Sequence, residues 1–341
     1  MSLHSPAVAI IGATGAVGTE MIGCLEQRRF PLSRLRLFAS GRSAGRRMPY
    51  GGQSLPVEVC TDEAFQGVQI ALFSAGGAAS RRFIPQAVRA GAVVIDNSSA
   101  FRMDAAVPLV VPEVNLDAIV GHRGIIANPN CVAIIAVVPL WPLHRAFGLR
   151  RIIASTYQAA SGAGAAAMEE LRESTRAALA GQSYEPRVLR HRYAFNLYSH
   201  DTAIDPQTGS NEEETKVIRE LRKIMALPEL PISVTCIRVP VLRAHAISVT
   251  AEFDRPVTAE AAQDVLAAAP GVRVVDDRAN NHFPMPIEAS GQGDVLVGRL
   301  RQDSSDVSGH SLSLFVAGDQ LLKGAALNAV QIAEALLLNA P

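Results

Sequence analysis

Short apolar runs alternate with amphipathic stretches along the first part of the chain, and the pattern then changes. Residues 8–11, 35–39, 70–74, 93–96 and 124–127 are brief, mostly aliphatic and bounded by turn-forming residues, which predicts strands. Residues 17–28 and 80–90 between them carry helical spacing. Strands separated regularly by helices predict a doubly wound, mainly parallel sheet. The later strand segments, residues 151–160, 233–240, 246–253, 272–275, 295–301 and 312–317, include several with alternating apolar and polar positions. Residues 165–180 are strong helix formers. The pattern predicts an α/β chain: a doubly wound domain, then an α+β domain of long antiparallel strands with helices on one face. The Ala- and Leu-rich residues 321–338 predict a final helix that returns to the first domain.

Composition narrows the class. The 341 residues are 48% apolar, enough for a sizeable core in each of two domains. Lys plus Arg balance Asp plus Glu at 32 each, which argues against nucleic acid or an anionic membrane as the main partner. Cys24, Cys60, Cys131 and Cys236 are widely spaced, with no C-x-x-C pair, disulfide framework or metal-binding spacing, and a reducing cytoplasm is the expected setting. Residues 1–6 lack a basic segment followed by an apolar signal core. The longest apolar stretch is broken at Pro139 and Pro142, so no membrane span is expected.

Between the first strand and the first helix stands Gly12-Ala13-Thr14-Gly15-Ala16-Val17-Gly18, a variant of the dinucleotide fingerprint. Glycines there let the backbone approach a pyrophosphate, whose charge the helix N-terminus meets. The alternative is an ordinary strand-helix turn. At the end of the second strand, where an NAD site places an acid, the chain reads Ser40-Gly41-Arg42-Ser43. Arg42 with Ser40 and Ser43 suits a 2′-phosphate, so NADP is expected; a solvated loop charge is the alternative. Gly41-Arg42-Ser43-Ala44-Gly45 also matches the G-x-S-x-G nucleophile elbow, but 46–52 is a poor helix start and the hydrolase reading is disfavoured.

Cys131 carries the strongest chemical signal. It ends Ala127-Asn128-Pro129-Asn130-Cys131, past a strand and a turn, where a helix is expected to begin. A thiol at the positive end of a helix dipole is biased towards thiolate, the reactive form. A buried structural cysteine is the alternative. Gln158 ends a predicted strand before Ser161-Gly162-Ala163-Gly164, and Arg238 and His245 lie in one short segment. If that segment were one extended strand, alternation would put Arg238 and His245 on opposite faces, though Pro240 disturbs the count. Thiolate, imidazole and amide together suit covalent acyl transfer. Taken singly, His245 reads as a structural histidine and Arg238 as a surface ion pair. Glu212–Lys216 opens a helix with Glu213 and Lys216 on one face, and reads on its own as a solvated helix start.

In order and spacing, these motifs, together with residues 98–103, Val110-Val111-Pro112-Glu113-Val114-Asn115 and residues 323–328, resemble the aspartate-β-semialdehyde dehydrogenase family of the shorter bacterial type. The resemblance spans almost the whole chain. It implies a Rossmann-like NADP-binding domain over 1–131, completed by a C-terminal helix at 320–341, and a catalytic and dimerisation domain over 132–319. It also implies reduction of L-aspartyl-4-phosphate to the semialdehyde with release of phosphate, on the route to lysine, methionine and threonine, by a homodimer. In that frame Cys131 forms a thioester, His245 is the general acid/base and Gln158 orients the acyl group. Arg238 holds the α-carboxylate as a bidentate fork, Glu213 the ammonium, and Arg102, Asn130 and Lys216 the phosphate. The glycine loop (Gly12, Thr14, Gly15, Ala16, Val17, Gly18), Ser161, Gly162 and Gln320 take the nicotinamide and pyrophosphate, with Ser40, Arg42 and Ser43 at the 2′-phosphate.

Two features depart from that frame: Ala244 stands where the family often has Gly, and 187–199 is rich in Arg, His and Tyr without an assigned role. An N-acetyl-glutamyl-phosphate reductase is one rival, though its cysteine usually follows Asn-Pro-Gly. A non-catalytic relative that binds nucleotide or a partner protein is another. A phosphorylating glyceraldehyde-type enzyme is disfavoured because it has no use for a carboxylate-binding arginine.

Overall fold

The computed structural model describes residues 5–338 and divides into two compact units. One runs to Asn130 and takes back the chain from Ala325; the other is Cys131–Gly324.

The first unit holds β1 (Ala7–Ile11), α1 (Ala16–Gln27), β2 (Arg34–Ala39), β3 (Arg47–Tyr50), β4 (Gln53–Val59), β5 (Ile70–Phe73), α2 (Gly77–Arg89), β6 (Val93–Asp96), α3 (Pro112–Asn115) and β7 (Ile125–Ala127). Its sheet runs β3-β4-β2-β1-β5-β6-β7, and every pair is parallel except the β3/β4 hairpin. This is the Rossmann-like sheet that the alternating pattern predicts. The β3/β4 hairpin was not anticipated. It is an edge element whose residues are mostly exposed or half-buried, so it lacks an apolar signature, and Gly51-Gly52 makes its turn. The C-terminal helix, Leu327–Leu338, packs against α1, and Arg28 pairs with Glu334 at 2.7 Å. It was expected as one helix from residue 321. Instead a π-helical turn at Leu322–Ala326 precedes it, and residues 320–324 fall in the second unit.

The second unit holds α4 (Cys131–Phe147), β8 (Leu149–Gln158), α5 (Ala165–Leu179), β9 (Tyr198–Ser199), α6 (Glu212–Ile224), β10 (Ile232–Arg238), β11 (His245–Phe253), α7 (Ala259–Ala267), β12 (Val272–Val274), α8 (Pro286–Ala289), β13 (Val295–Gln302) and β14 (Ser311–Gly318). The sheet order is β12-β13-β14-β11-β8-β10-β9. It is mixed rather than antiparallel. β8 and β10 run parallel because two helices, α5 and α6, connect them, and a crossover of that length returns a strand in the same direction. β12 and β13 are also parallel, and the remaining pairs are antiparallel.

Helix α4 covers one face of this sheet, the face of Ile152, Ala154, Thr156, Ile247, Val249, Leu314 and Val316. Pro139 and Pro142 lie inside α4 without ending it. An interior proline costs roughly 3 kcal/mol. Burial of Ile134, Ile135, Val137, Val138, Leu140 and Leu143 offsets that loss, at about 1.5–3 kcal/mol for each fully buried side chain. Among the described residues no helix is long and apolar enough to cross a membrane. The opposite sheet face carries exposed Ile153 and the half-buried rings of Tyr157 and Phe315, with centroids 6.2 Å apart.

Candidate active site

The second unit gathers its chemistry at one end of the α4-covered sheet face. Cys131 is the first residue of α4, so its sulfur stands at the positive end of the helix dipole. A Cβ added to Gly324 would lie 3.0 Å from that of Cys131, so only glycine fits beside the thiol without displacement. Burial pushes the Cys236 thiol well up; Thr156 opposes this, while nearby Glu213, Glu214 and Cys131 reinforce it. Cys236 is therefore held as an inert thiol, and the half-buried Cys131 is the reactive candidate of the two.

Gln158 ends β8, Arg238 ends β10 directly opposite it in parallel register, and His245 begins β11. Arg238 and His245 thus belong to different strands joined by a turn, not to one extended strand. All three side chains lie on the α4 face, and all are almost fully buried. Thr156 Oγ1 donates to Gln158 Oε1 at 3.0 Å, and Gln158 Nε2 donates to Glu213 Oε1 at 3.2 Å, which fixes the amide's orientation. The Ala159 backbone N–H donates to His245 Nδ1 at 2.9 Å. His245 Nε2 is buried without a protein partner, and a methyl on Gly162 would lie 3.2 Å from it. Burial first, then the positive charge of Arg238, hold the imidazole well below its ordinary pKa.

Arg238 is already engaged. Its Nη2 donates to Asp201 Oδ1 at 3.0 Å and lies 2.8 Å from His200 Nε2. Burial would raise the Asp201 carboxyl, but its hydrogen bond and ion pair with Arg238 outweigh that and hold it below the ordinary value. The segment 187–199, rich in Arg, His and Tyr, leads into these partners. Buried Glu170 anchors its start by accepting from the amides of Arg187, Val188 and Leu189 at 2.6–2.9 Å. Tyr193 Oη donates to the Val239 carbonyl, and β9 pairs Tyr198 with Arg238.

Glu213 and Glu214 are buried, so the solvated-helix reading of this motif fails for both. Glu214 closes a capping box with Asn211 at the start of α6 and accepts from the Cys236 amide at 3.0 Å. Lys216 pairs with Glu212, four residues earlier, at 2.8 Å rather than with Glu213. Gln320 and Ser161 are joined by a side-chain hydrogen bond, and Gln320 Oε1 also accepts from the Ala244 amide at 2.9 Å. Both side chains are thus engaged within the protein. Ala244 has φ +70°, which explains a preference for glycine there. Its methyl packs with Ala289, Leu296 and Ala317.

In the first unit the glycine loop has divided duties. A side chain at Gly12 would strike the Ser74 carbonyl, and one at Gly18 the Gly12 carbonyl, so these two glycines serve the fold itself. Gly15 caps α1 with no side-chain hydrogen bond, and the first turn, with Ala16, Val17 and Gly18, contains no acid. That leaves a helix N-terminus suited to an anion. Thr14 Oγ1 donates to Ser43 Oγ at 3.1 Å, tying the loop to the 3-10 turn Gly41–Ser43 where Arg42 is exposed and Ser40 is the cap. No helix follows Ser43, so the nucleophile-elbow geometry is absent. Arg102 is buried with its Nε donating to the Asn128 carbonyl at 2.9 Å and Nη2 to that of Asn97 at 2.7 Å; Asn130 is also buried.

Residues 7–122 match the family model for the semialdehyde dehydrogenase NAD binding domain, and residues 140–323 match that for the semialdehyde dehydrogenase dimerisation domain. The chain is 51% identical to an aspartate-semialdehyde dehydrogenase of Synechocystis, over 97% of each chain. It is 47% identical to that of Bacillus subtilis, over 96% of each. The chain belongs to the aspartate-semialdehyde dehydrogenase family. A solved structure of aspartate semialdehyde dehydrogenase II from Vibrio cholerae, complexed with ASA, superimposes with a TM-score of 0.95 at 41% identity, covering 99% of each chain.

Within this family member, His200 and Asp201 are the site residues that the sequence did not disclose. Both directly follow the Arg-, His- and Tyr-rich segment, to which the sequence alone assigns no role. Their relation to Arg238 arises from the pairing of β9 with β10, which sequence spacing does not reveal.

Proposed function

We infer that this chain is an NADP-dependent, phosphorylating aspartate-semialdehyde dehydrogenase that works through a thioester on Cys131. The observation that carries the reading is the convergence of Gln158, Arg238 and His245 on the sheet face packed by α4, the helix that Cys131 begins. Cys131 thiolate attacks the acyl-phosphate carbonyl carbon, the bond to phosphate breaks, and the acyl group stays on sulfur. The substrate's carboxylate goes to Arg238, its ammonium to Glu213, and its phosphate to Arg102, Asn130 and Lys216. Gln158, held by Thr156 and Glu213, orients the acyl group.

The uncapped, acid-free start of α1 fits a pyrophosphate, and Arg42 with Ser40 and Ser43 fits a 2′-phosphate. When bound, NADPH supplies the hydride that the thioester carbon accepts. Ser161, Gly162 and Gln320 would border the nicotinamide. Gly162 does so through its lack of a side chain, whereas Ser161 and Gln320 brace the loop on which it sits. The half-exposed face of Ile153, Tyr157 and Phe315 supports a homodimer joined through the second unit. The four free thiols suit a reducing cytoplasm, and the product fits lysine, methionine and threonine synthesis.

The test is phosphate-dependent NADP reduction with aspartate semialdehyde, run against N-acetyl-glutamate semialdehyde and against Cys131→Ser. Turnover of the aspartyl compound, abolished in the variant, supports the assignment. Turnover of the acetylated compound alone moves it to the rival reductase. Folded protein that binds NADP and turns over neither compound is a non-catalytic relative.

A further inference from the structure

We propose that Asp319 is a positioning residue: its carboxylate holds the turn that walls off Cys131. Asp319 is fully buried and directly follows β14. Its Oδ2 accepts from Arg243 Nε at 2.7 Å and from the Gly291 amide at 2.6 Å. Its Oδ1 accepts from the amides of Leu321 at 2.9 Å and Leu322 at 3.2 Å. Each of these groups is a donor, so the position suits an ionised carboxylate, which only accepts. Burial of that charge is tolerated because both oxygens are engaged and a cation is among the partners.

The two oxygens act on different segments. Oδ2 joins the turn between β10 and β11, through Arg243, to the chain after α8, through Gly291. Oδ1 caps the π-helical turn Leu322–Ala326, whose first amides have no acceptor within the turn. The Asp319 carbonyl accepts from the Gly324 amide at 3.0 Å, a five-residue step that keeps this turn wide. Gly324 is thereby held so close to Cys131 that an added methyl would lie 3.0 Å from the cysteine Cβ. The same turn begins with Gln320, whose Oε1 takes the Ala244 amide. Asp319 thus builds the wall beside the thiol with its side chain and its carbonyl together. Loss of the side chain removes the cap, and Gly324 can then draw back from Cys131. The role rests on the thioester reading of Cys131 above.

The test is alkylation of the full chain by iodoacetamide, read cysteine by cysteine with peptide mass spectrometry. Buried Cys24 and Cys236 report any general loosening. In Asp319→Ala, Cys131 should react about five-fold faster, the effect of losing one cap, while Cys24 and Cys236 stay unmodified. Its kcat should fall about 10–100-fold through the displaced geometry, with KM for phosphate unchanged. Asp319→Ser gives up Arg243 and Gly291 as alanine does, but its hydroxyl can still cap the turn. Serine should therefore return the Cys131 rate to within about two-fold of the wild type. A Cys131 rate in Asp319→Ala equal to the wild type, equal acceleration in both variants, or faster reaction at every cysteine overturns the proposal. Should Asp319→Ala not fold, Gly324→Ala retains the cap and adds a methyl against Cys131. Alkylation should then slow, and an unchanged rate overturns the link between turn and thiol. These rates need no turnover. A wild-type Cys131 no more reactive than Cys236 would defeat the thioester reading itself, and this role with it.

Discussion

Asp201 Oδ1 lies 3.0 Å from Arg238 Nη2, so the guanidinium proposed to take the substrate's carboxylate already holds a carboxylate of its own. His200 Nε2, at 2.8 Å, takes up the same nitrogen. Every two-pronged approach to a guanidinium that uses Nη2 is thereby contested, and Arg238 Nε is the buried donor without a partner. The simple bidentate fork that the family resemblance implies requires Asp201 to yield. Asp201→Asn should therefore lower KM for aspartate semialdehyde about five-fold, from about 1 kcal/mol of relieved competition, and leave kcat near its original value. Steady-state kinetics checks this. A raised KM would mean that Asp201 holds Arg238 in place for the substrate instead of competing with it.

Gly162 gives the site a second handle. An added methyl would lie 3.1 Å from His245 Cε1 and 3.2 Å from Nε2, pressing on the edge of the ring that faces the site. Gly162→Ala should reduce kcat about 10–100-fold, since a small displacement of a reacting geometry has an effect of that order. The melting temperature should change little. An unimpaired kcat would show that the imidazole can shift freely.

Two buried imidazoles set the acid limb of stability. Burial first, then the charge of Arg238, hold both His200 and His245 below the ordinary value of 6.5. Below about pH 6.5 the unfolded chain therefore binds more protons than the folded one, and stability falls as the pH drops. Each histidine contributes a slope of up to about 1.4 kcal/mol per pH unit, and neither contributes well above that value. Urea unfolding over this range checks the sign, and His200→Gln should reduce the slope. Stability that rises on acidification from neutrality would contradict the burial argument.

Much of this molecule was legible in its sequence, for physical reasons that differ by region. The aliphatic strands β1, β2, β5, β6 and β7 are mostly buried, so their apolar runs announced the first sheet. Cys131 at the start of α4 followed from a strand, a turn and an apolar run. What escaped was set by tertiary pairing. The parallel register of Gln158 with Arg238 depends on a long crossover, and His200 and Asp201 reach Arg238 only because β9 adds to the sheet edge. Glu213 and Glu214 looked solvated because helix N-termini usually are. Their burial depends on β8 and β10, whose Gln158 side chain and Cys236 amide they engage.

The proposed preference for NADP rests on one exposed cation, Arg42. Arg42→Ala should raise KM for NADP about 10–100-fold, the loss of a charged hydrogen bond worth about 1.5–3 kcal/mol, while KM for NAD stays nearly constant. Kinetics with both dinucleotides checks this. Equal changes for the two would place the 2′-phosphate elsewhere.

Acyl transfer to Cys131 is tested most directly by a single turnover without phosphate. Enzyme mixed with aspartate semialdehyde and NADP should give a burst of NADPH matching the number of sites and then stop. Peptide mass spectrometry of the quenched protein should find the aspartyl group on Cys131, and added phosphate should discharge it. Sustained turnover without phosphate, or a burst with the acyl group on another residue, would contradict a thioester at Cys131.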